Sequence, residues 1–147
     1  MGENPLINFN IFTSMKKIEV VAAVIQYNGK ILAVQRGPAK YDYISEKWEF
    51  PGGKMEAGES QEQTIIREIK EELDMGISVG PKLITMEHSY PDFHLTMHTY
   101  LCETNQSEPK LTEHLAYKWL EKSELTKLDW AGADVPIIHF LEKTPGF

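Results

Sequence analysis

The run Gly53-Lys54-Met55-Glu56-Ala57-Gly58-Glu59, followed after seven residues by Arg67-Glu68-Ile69-Lys70-Glu71-Glu72, constrains this chain more than any other segment. It sets a bent glycine loop ahead of a helix that carries three crowded carboxylates on one side. Like charges three and four residues apart on a helix repel one another. A cation placed on them removes that cost, and hard divalent cations favour oxygen ligands. The segment predicts a metal site suited to phosphate chemistry. Its bland alternative is a solvated acidic face.

Ser60-Gln61-Glu62-Gln63 reads as a capping box, with Ser at the cap and Gln three residues on. At a hundred degrees per residue, Ile65, Ile66, Ile69 and Leu73 share one side of the following helix. Glu68, Glu71 and Glu72 fall roughly opposite. The helix is expected to dock by its isoleucines and to turn its acids to a cleft. Upstream, Trp48-Glu49-Phe50 reads as a short strand. Pro51-Gly52-Gly53 reads as a sharp turn, whose glycines permit positive φ and close approach to a ligand.

Gly53, Glu59 and Arg67-Glu68-Ile69-Lys70-Glu71-Glu72 together resemble the Nudix box, G-x5-E-x7-R-E-U-x-E-E-x-G-U with U aliphatic. The last glycine is replaced by Asp74, and Met75 fills the final aliphatic place. Asp enters the left-handed conformation more readily than most residues, so an intact helix end is expected. Ile18 to Ile25, Gly29 to Leu32, Gln35-Arg36, Trp48-Glu49-Phe50 and Ala133 to Ile137 are similar to the MutT branch. Within that branch the pattern is most similar to the type that hydrolyses cytidine triphosphate. The resemblance covers roughly Met15 to Glu142. It implies an α/β/α sandwich around a mixed sheet and hydrolysis of a nucleoside diphosphate linked to a further group.

The resemblance also implies roles. Gly53, Glu59, Glu68, Glu71 and Glu72 form the expected cradle for Mg2+, with Mn2+ as the other candidate; ligands this hard do not suit zinc. Arg67 orients a catalytic carboxylate through a bidentate ion pair. Glu68 is the first candidate for general base, although any member of the cluster can serve. Arg36 matches a phosphate-binding arginine. Glu113 is either a further metal or base carboxylate or a solvated loop acid. Asp134 is either a base-contacting acceptor or the N-cap of the last helix. Tyr90, Trp130 and Phe50 are candidates to stack on a base, or else core.

At 147 residues the chain is long enough to bury one real core. Residues 1–14 are read as an extension and 15–147 as a single domain. The formal charge of −7 argues against nucleic-acid polymers as partners. It does not argue against a small polyanion, because a metal ion inverts the local field. The single cysteine, Cys102, excludes an internal disulfide and suits a reducing cytoplasm. Met1 to Lys17 lacks the features of a secretory signal, and no apolar run suggests a membrane span. Both a monomer and a homodimer fit.

Strands are expected at Ile18–Gln26, Ile31–Gln35, Lys82–Tyr90, Phe93–Glu103 and Leu115–Leu120. Asn28-Gly29 is the hairpin turn between the first two. Gly37 to Lys47 is a loop in which Tyr41 and Tyr43 are either lid residues or surface aromatics. A helical turn is expected at Ser123–Leu125 and a final helix at Asp134–Glu142. His94 and His98 are read as structural or solvent-facing, since in a strand they share one face some distance apart and no third ligand is evident.

The functional expectation is Mg2+-dependent cleavage of a nucleoside triphosphate to monophosphate and pyrophosphate, in nucleotide-pool house-cleaning. CTP, dCTP, 5-methyl-dCTP and 8-oxo-dGTP are the favoured substrates. The alternatives are hydrolysis of a nucleotide sugar or dinucleotide, and a Nudix-fold module that senses a nucleotide without turnover.

Overall fold

Alternating apolar residues along the first strand have to be covered on both faces, and the architecture follows from that. The computed structural model describes residues 16–146; the expected extension at residues 1–14 lies outside the described residues. Seven strands form one sheet: β1 (Lys16–Tyr27), β2 (Lys30–Gln35), β3 (Trp48–Glu49), β4 (Gly52–Lys54), β5 (Ser78–Ser89), β6 (Phe93–Glu103) and β7 (Ala116–Leu120). The main path runs β3-β2-β1-β6-β5, with β4 paired to β1 and β7 to β2. The β1–β6 pair is parallel, with Val20 beside Met97, and the other pairs are antiparallel. Among the described residues, helix α1 (Gln61–Leu73) and helix α2 (Val135–Lys143) complete the regular structure, with 3-10 turns at Lys122–Lys127 and Gly132–Asp134.

The sheet separates two cores. On one face Val21, Ala23, Ile25, Leu32 and Val34 pack under Ile65, Ile69 and Leu73 of α1. On the other, Ala22, Val24, Ile31 and Ala33 pack under Ile137, Ile138 and Leu141 of α2. The period-two alternation along β1 feeds both layers. Each fully buried Ile or Leu of α1 contributes roughly 1.5–3 kcal/mol. The result is the expected α/β/α sandwich around a mixed sheet.

Three local expectations change. Ile66 is half exposed, because the buried stripe of α1 is formed by Thr64, Ile65, Ile69 and Leu73. Gly52 and Gly53 are not a turn but most of β4, with Gly52 opposite Ala22 and Gly53 opposite Val21. Neither adopts positive φ; it is Gly58, later in the loop, that does so, at 83°. What β4 needs is the missing side chain, since a Cβ on Gly52 would overlap the Val21 carbonyl. β5 begins at Ser78, accommodating Gly80 and Pro81 through register shifts.

Helix α1 ends as its sequence predicts. Asp74 sits in the left-handed region at φ 50°, its N–H donates to the Lys70 carbonyl, and its carboxylate pairs with the Lys70 ammonium at 2.8 Å. Cys102 is buried, and burial pushes its thiol up to about 12. His98 bridges Thr85 and Glu19, and His94 bridges Ser89 and Glu87, consistent with structural roles. No helix among the described residues is long and apolar enough to cross a membrane.

Candidate active site

The loop before α1 is tied to the helix through one arginine. The capping box forms as expected: Ser60 accepts from Gln63 N–H, and the Gln63 side chain accepts from Ser60 N–H. This fixes Glu59 one residue outside the helix. Arg67 then reaches back, donating from Nε to Glu59 Oε2 at 2.6 Å and from Nη2 to Glu59 Oε1 at 2.9 Å. Its Nη1 donates to Glu68 at 2.9 Å and to Glu71 at 3.2 Å, and Nη2 also donates to the Lys54 carbonyl. The bidentate partner of Arg67 is thus Glu59, while Glu68 receives a single bond.

These bonds hold the Glu59 carboxyl down at about 2, the Arg67 hydrogen bonds being the largest cause. A carboxylate depressed in the folded state contributes stability above its unfolded value of about 4.5, and loses it as pH falls towards its folded value. Glu59→Gln is therefore expected to melt below the parent at pH 7. The gap should close as the pH falls from about 4.5 towards 2. Thermal unfolding across that range reads the result directly; a gap independent of pH would contradict the ion-pair account.

Glu68 packs against β4. A Cβ on Gly53 would overlap the Glu68 carboxyl carbon, so the glycine leaves the space that this carboxyl fills. Glu68 and Glu72 lie within hydrogen-bonding reach of each other. Burial first, then Glu68, then Glu49 and Glu113, push the Glu72 carboxyl well above the usual range. Two facing carboxyls in a half-buried site cannot both be ionised cheaply. A divalent cation between them relieves that conflict, so this donor set fits an oxygen-seeking metal.

The six expected metal residues are not gathered at one point. Among the described residues no group of three or more His, Cys, Asp or Glu side chains stands assembled for a metal ion. Arg67 takes both oxygens of Glu59 and one of the exposed Glu71. Gly53, Glu68, Glu72 and Glu113 do share one cavity of about 700 Å³.

That cavity runs from the glutamates to Asp134. Asp134 lies there, 3% exposed, and its Oδ1 accepts the Phe50 N–H at 3.0 Å. Asp134 also occupies the N-cap position of α2, as its alternative role expects, but its side chain makes no capping bond to that helix. Burial, reinforced by Glu49, raises its carboxyl well above the usual range. Phe50 forms part of the wall. Trp130 does not line the cavity; it packs behind Phe50 at 4.8 Å, and its indole N–H donates to the Leu125 carbonyl. Tyr90 reaches the cavity edge but is almost wholly covered by neighbouring rings.

Glu49 is the residue that the sequence reading passed over. It pairs with Arg36 at 3.4 Å and with His114 Nε2 at 3.2 Å, and it acts electrostatically on both Glu72 and Asp134. It therefore stands between the two ends of the cavity. An acid between two buried aromatics, Trp48 and Phe50, was the available signal. His114, 7% exposed at its side chain, was hidden beside the more conspicuous Glu113.

Residues 20–140 match the NUDIX domain. The chain is 37% identical over 125 residues to the CTP pyrophosphohydrolase of Escherichia coli K12, covering 85% of this chain and 91% of that protein. It is 30% identical over 129 residues to the 8-oxo-dGTP diphosphatase of the same organism, covering 88% and 99%. The solution structure of a MutT protein from methicillin-resistant Staphylococcus aureus 252 superimposes with a TM-score of 0.67 at 41% identity, covering 88% of this chain and 99% of that one. With the glycine strand, the arginine-tied loop and the glutamate helix in their places, the chain belongs to the Nudix hydrolase family.

Proposed function

We propose that this chain hydrolyses a nucleoside triphosphate at the anhydride between its first and second phosphates, giving monophosphate and pyrophosphate. The observation that carries the reading is one continuous cavity with paired carboxyls at one end and a buried hydrogen-bonding acid at the other. Glu68, Glu72 and Glu113, with the Gly53 backbone, would hold a divalent cation, Mg2+ or Mn2+. When bound, that ion supplies charge neutralisation for the phosphate oxygens.

The protein's own groups do the rest. Arg67 holds Glu68 by one oxygen, orienting a carboxylate that takes the proton of the attacking water. Arg36, half exposed at the cavity wall, supplies positive charge to the phosphates. Asp134 keeps one oxygen on Phe50 N–H and turns to the base with the remainder of its carboxyl. Its burial raises this carboxyl well above the usual range, and its oxygens are the polar atoms it turns to the base. The N4 amine of cytosine and the N7–H of 8-oxoguanine are donors that complement such an oxygen. The activities named for the two Escherichia coli relatives are consistent with this pocket.

The test is a Mg2+ hydrolysis panel of normal, methylated and oxidised nucleoside triphosphates, with nucleotide sugars and dinucleotides alongside. Pyrophosphate from a cytidine or oxidised guanine nucleotide is expected. Asp134→Asn should keep the bond to Phe50 N–H yet shift the preference between bases by about tenfold. Turnover confined to diphosphate-linked compounds would overturn the substrate reading. Binding without turnover would make the chain a sensor.

A further inference from the structure

Tyr90 is placed to hold the base-recognising acid in position and not to stack on a base. Tyr43 stacks on it at 5.1 Å and 15°, His88 meets it edge-on at 4.5 Å, and Phe93 leans on it at 5.0 Å. Only 7% of Tyr90 is exposed. Its hydroxyl accepts the Ala133 N–H at 2.9 Å. Ala133 precedes Asp134 in the 3-10 turn that presents this acid to the cavity.

Tyr43 is fixed in turn. Its hydroxyl donates to Asp92 Oδ2 at 2.6 Å, and Tyr41 stacks on it at 5.2 Å and 7°. The backbone of this loop is internally bonded, with Ile44 and Ser45 N–H both donating to the Tyr41 carbonyl. Asp92 belongs to the turn between β5 and β6. The loop and that turn, far apart in sequence, thus meet at one hydrogen bond on the cavity rim, where Tyr41 and Asp92 both form wall.

We propose that Tyr43 and Asp92 are positioning residues for base selection: their hydrogen bond locks the 37–47 loop onto the β5–β6 turn, and through stacked Tyr90 and the Ala133 N–H it fixes the aim of Asp134. The inference rests on the nucleotide reading above. Its chemistry is that of a preorganised polar contact, whose selectivity depends on how closely its support holds it.

Tyr43→Phe keeps the ring stack and removes only the hydroxyl. For the preferred nucleoside triphosphate its KM is expected to rise about five-fold, the worth of one such bond, with kcat unchanged. The kcat/KM ratio between preferred and disfavoured bases should narrow by a similar factor. Asp92→Asn retains an acceptor oxygen and should keep the parental KM. Asp92→Ala should match Tyr43→Phe, and the double variant should be no worse than either, as members of one interaction must be. An unchanged KM in Tyr43→Phe, additive losses, or a fall in kcat equal for every base would overturn the proposal. Should Asp134→Asn alter base preference while Tyr43→Phe does not, this inference fails and the substrate reading stands. If the parent shows no preference among bases, both fail.

Discussion

Glu72→Gln is expected to lower turnover on the order of a thousand-fold and, in metal-free buffer at pH 8, to raise the melting temperature. The loss follows from removing one carboxylate of a cation site that supplies several kcal/mol of charge stabilisation. The gain follows from the same crowding. Burial and Glu68 raise the folded Glu72 carboxyl well above its unfolded value of about 4.5. Such a group favours folding while protonated, and that contribution is lost as pH rises from its unfolded value through its raised folded one. Glutamine removes the penalty because it never ionises. Mg2+ should raise the parental melting temperature more at pH 8 than at pH 5 and should do little for the variant. Circular dichroism melts with chelator or Mg2+ would decide it. A metal-free variant less stable than the parent at pH 8 would contradict the paired-carboxyl account.

The same substitution at adjacent glycines is expected to have opposite kinds of effect. Gly53→Ala directs its methyl at the Glu68 carboxyl, the end of a side chain that can swing away. The sheet should survive while the carboxylate is misplaced, at about a hundred-fold in kcat. Gly52→Ala directs its methyl at the Val21 carbonyl and the Ala22 backbone, which cannot yield without breaking the β1–β4 ladder. That variant should lose on the order of 3 kcal/mol or fail to fold. Soluble yield, melting temperature and kcat together separate the two. Equal melting temperatures for the pair would show that the two methyls meet equally yielding neighbours.

Helix α1 was legible from cap to cap because its signals are local. Ser60, Gln63 and Asp74 act within one turn of themselves. The sandwich was legible because the alternation in β1 and the stripe in α1 each demand a cover. What escaped depends on distant chain. Glu49 gains its place only when Arg36, His114 and Asp134 are brought around it. Asp134 sits where a helix cap would, yet it is claimed by Phe50, 84 residues away in sequence. Tyr90 and Trp130 were visible as large aromatics, but which ring faces a cavity and which is covered by another is settled by packing. Ile66 shows the limit of periodicity: it lies at the margin of the expected stripe, and Thr64, Ile65, Ile69 and Leu73 take the buried positions.

The parallel pairing of β1 with β6 carries a consequence for how this protein acquires activity. Val20 and Met97 lie side by side, although most of the chain separates them in sequence. Both border the cavity. Closing such a span is entropically slow compared with winding a capped helix. On dilution from denaturant, helical signal should therefore return ahead of catalysis. Recovered enzyme activity reports the joining of the two halves of the sheet.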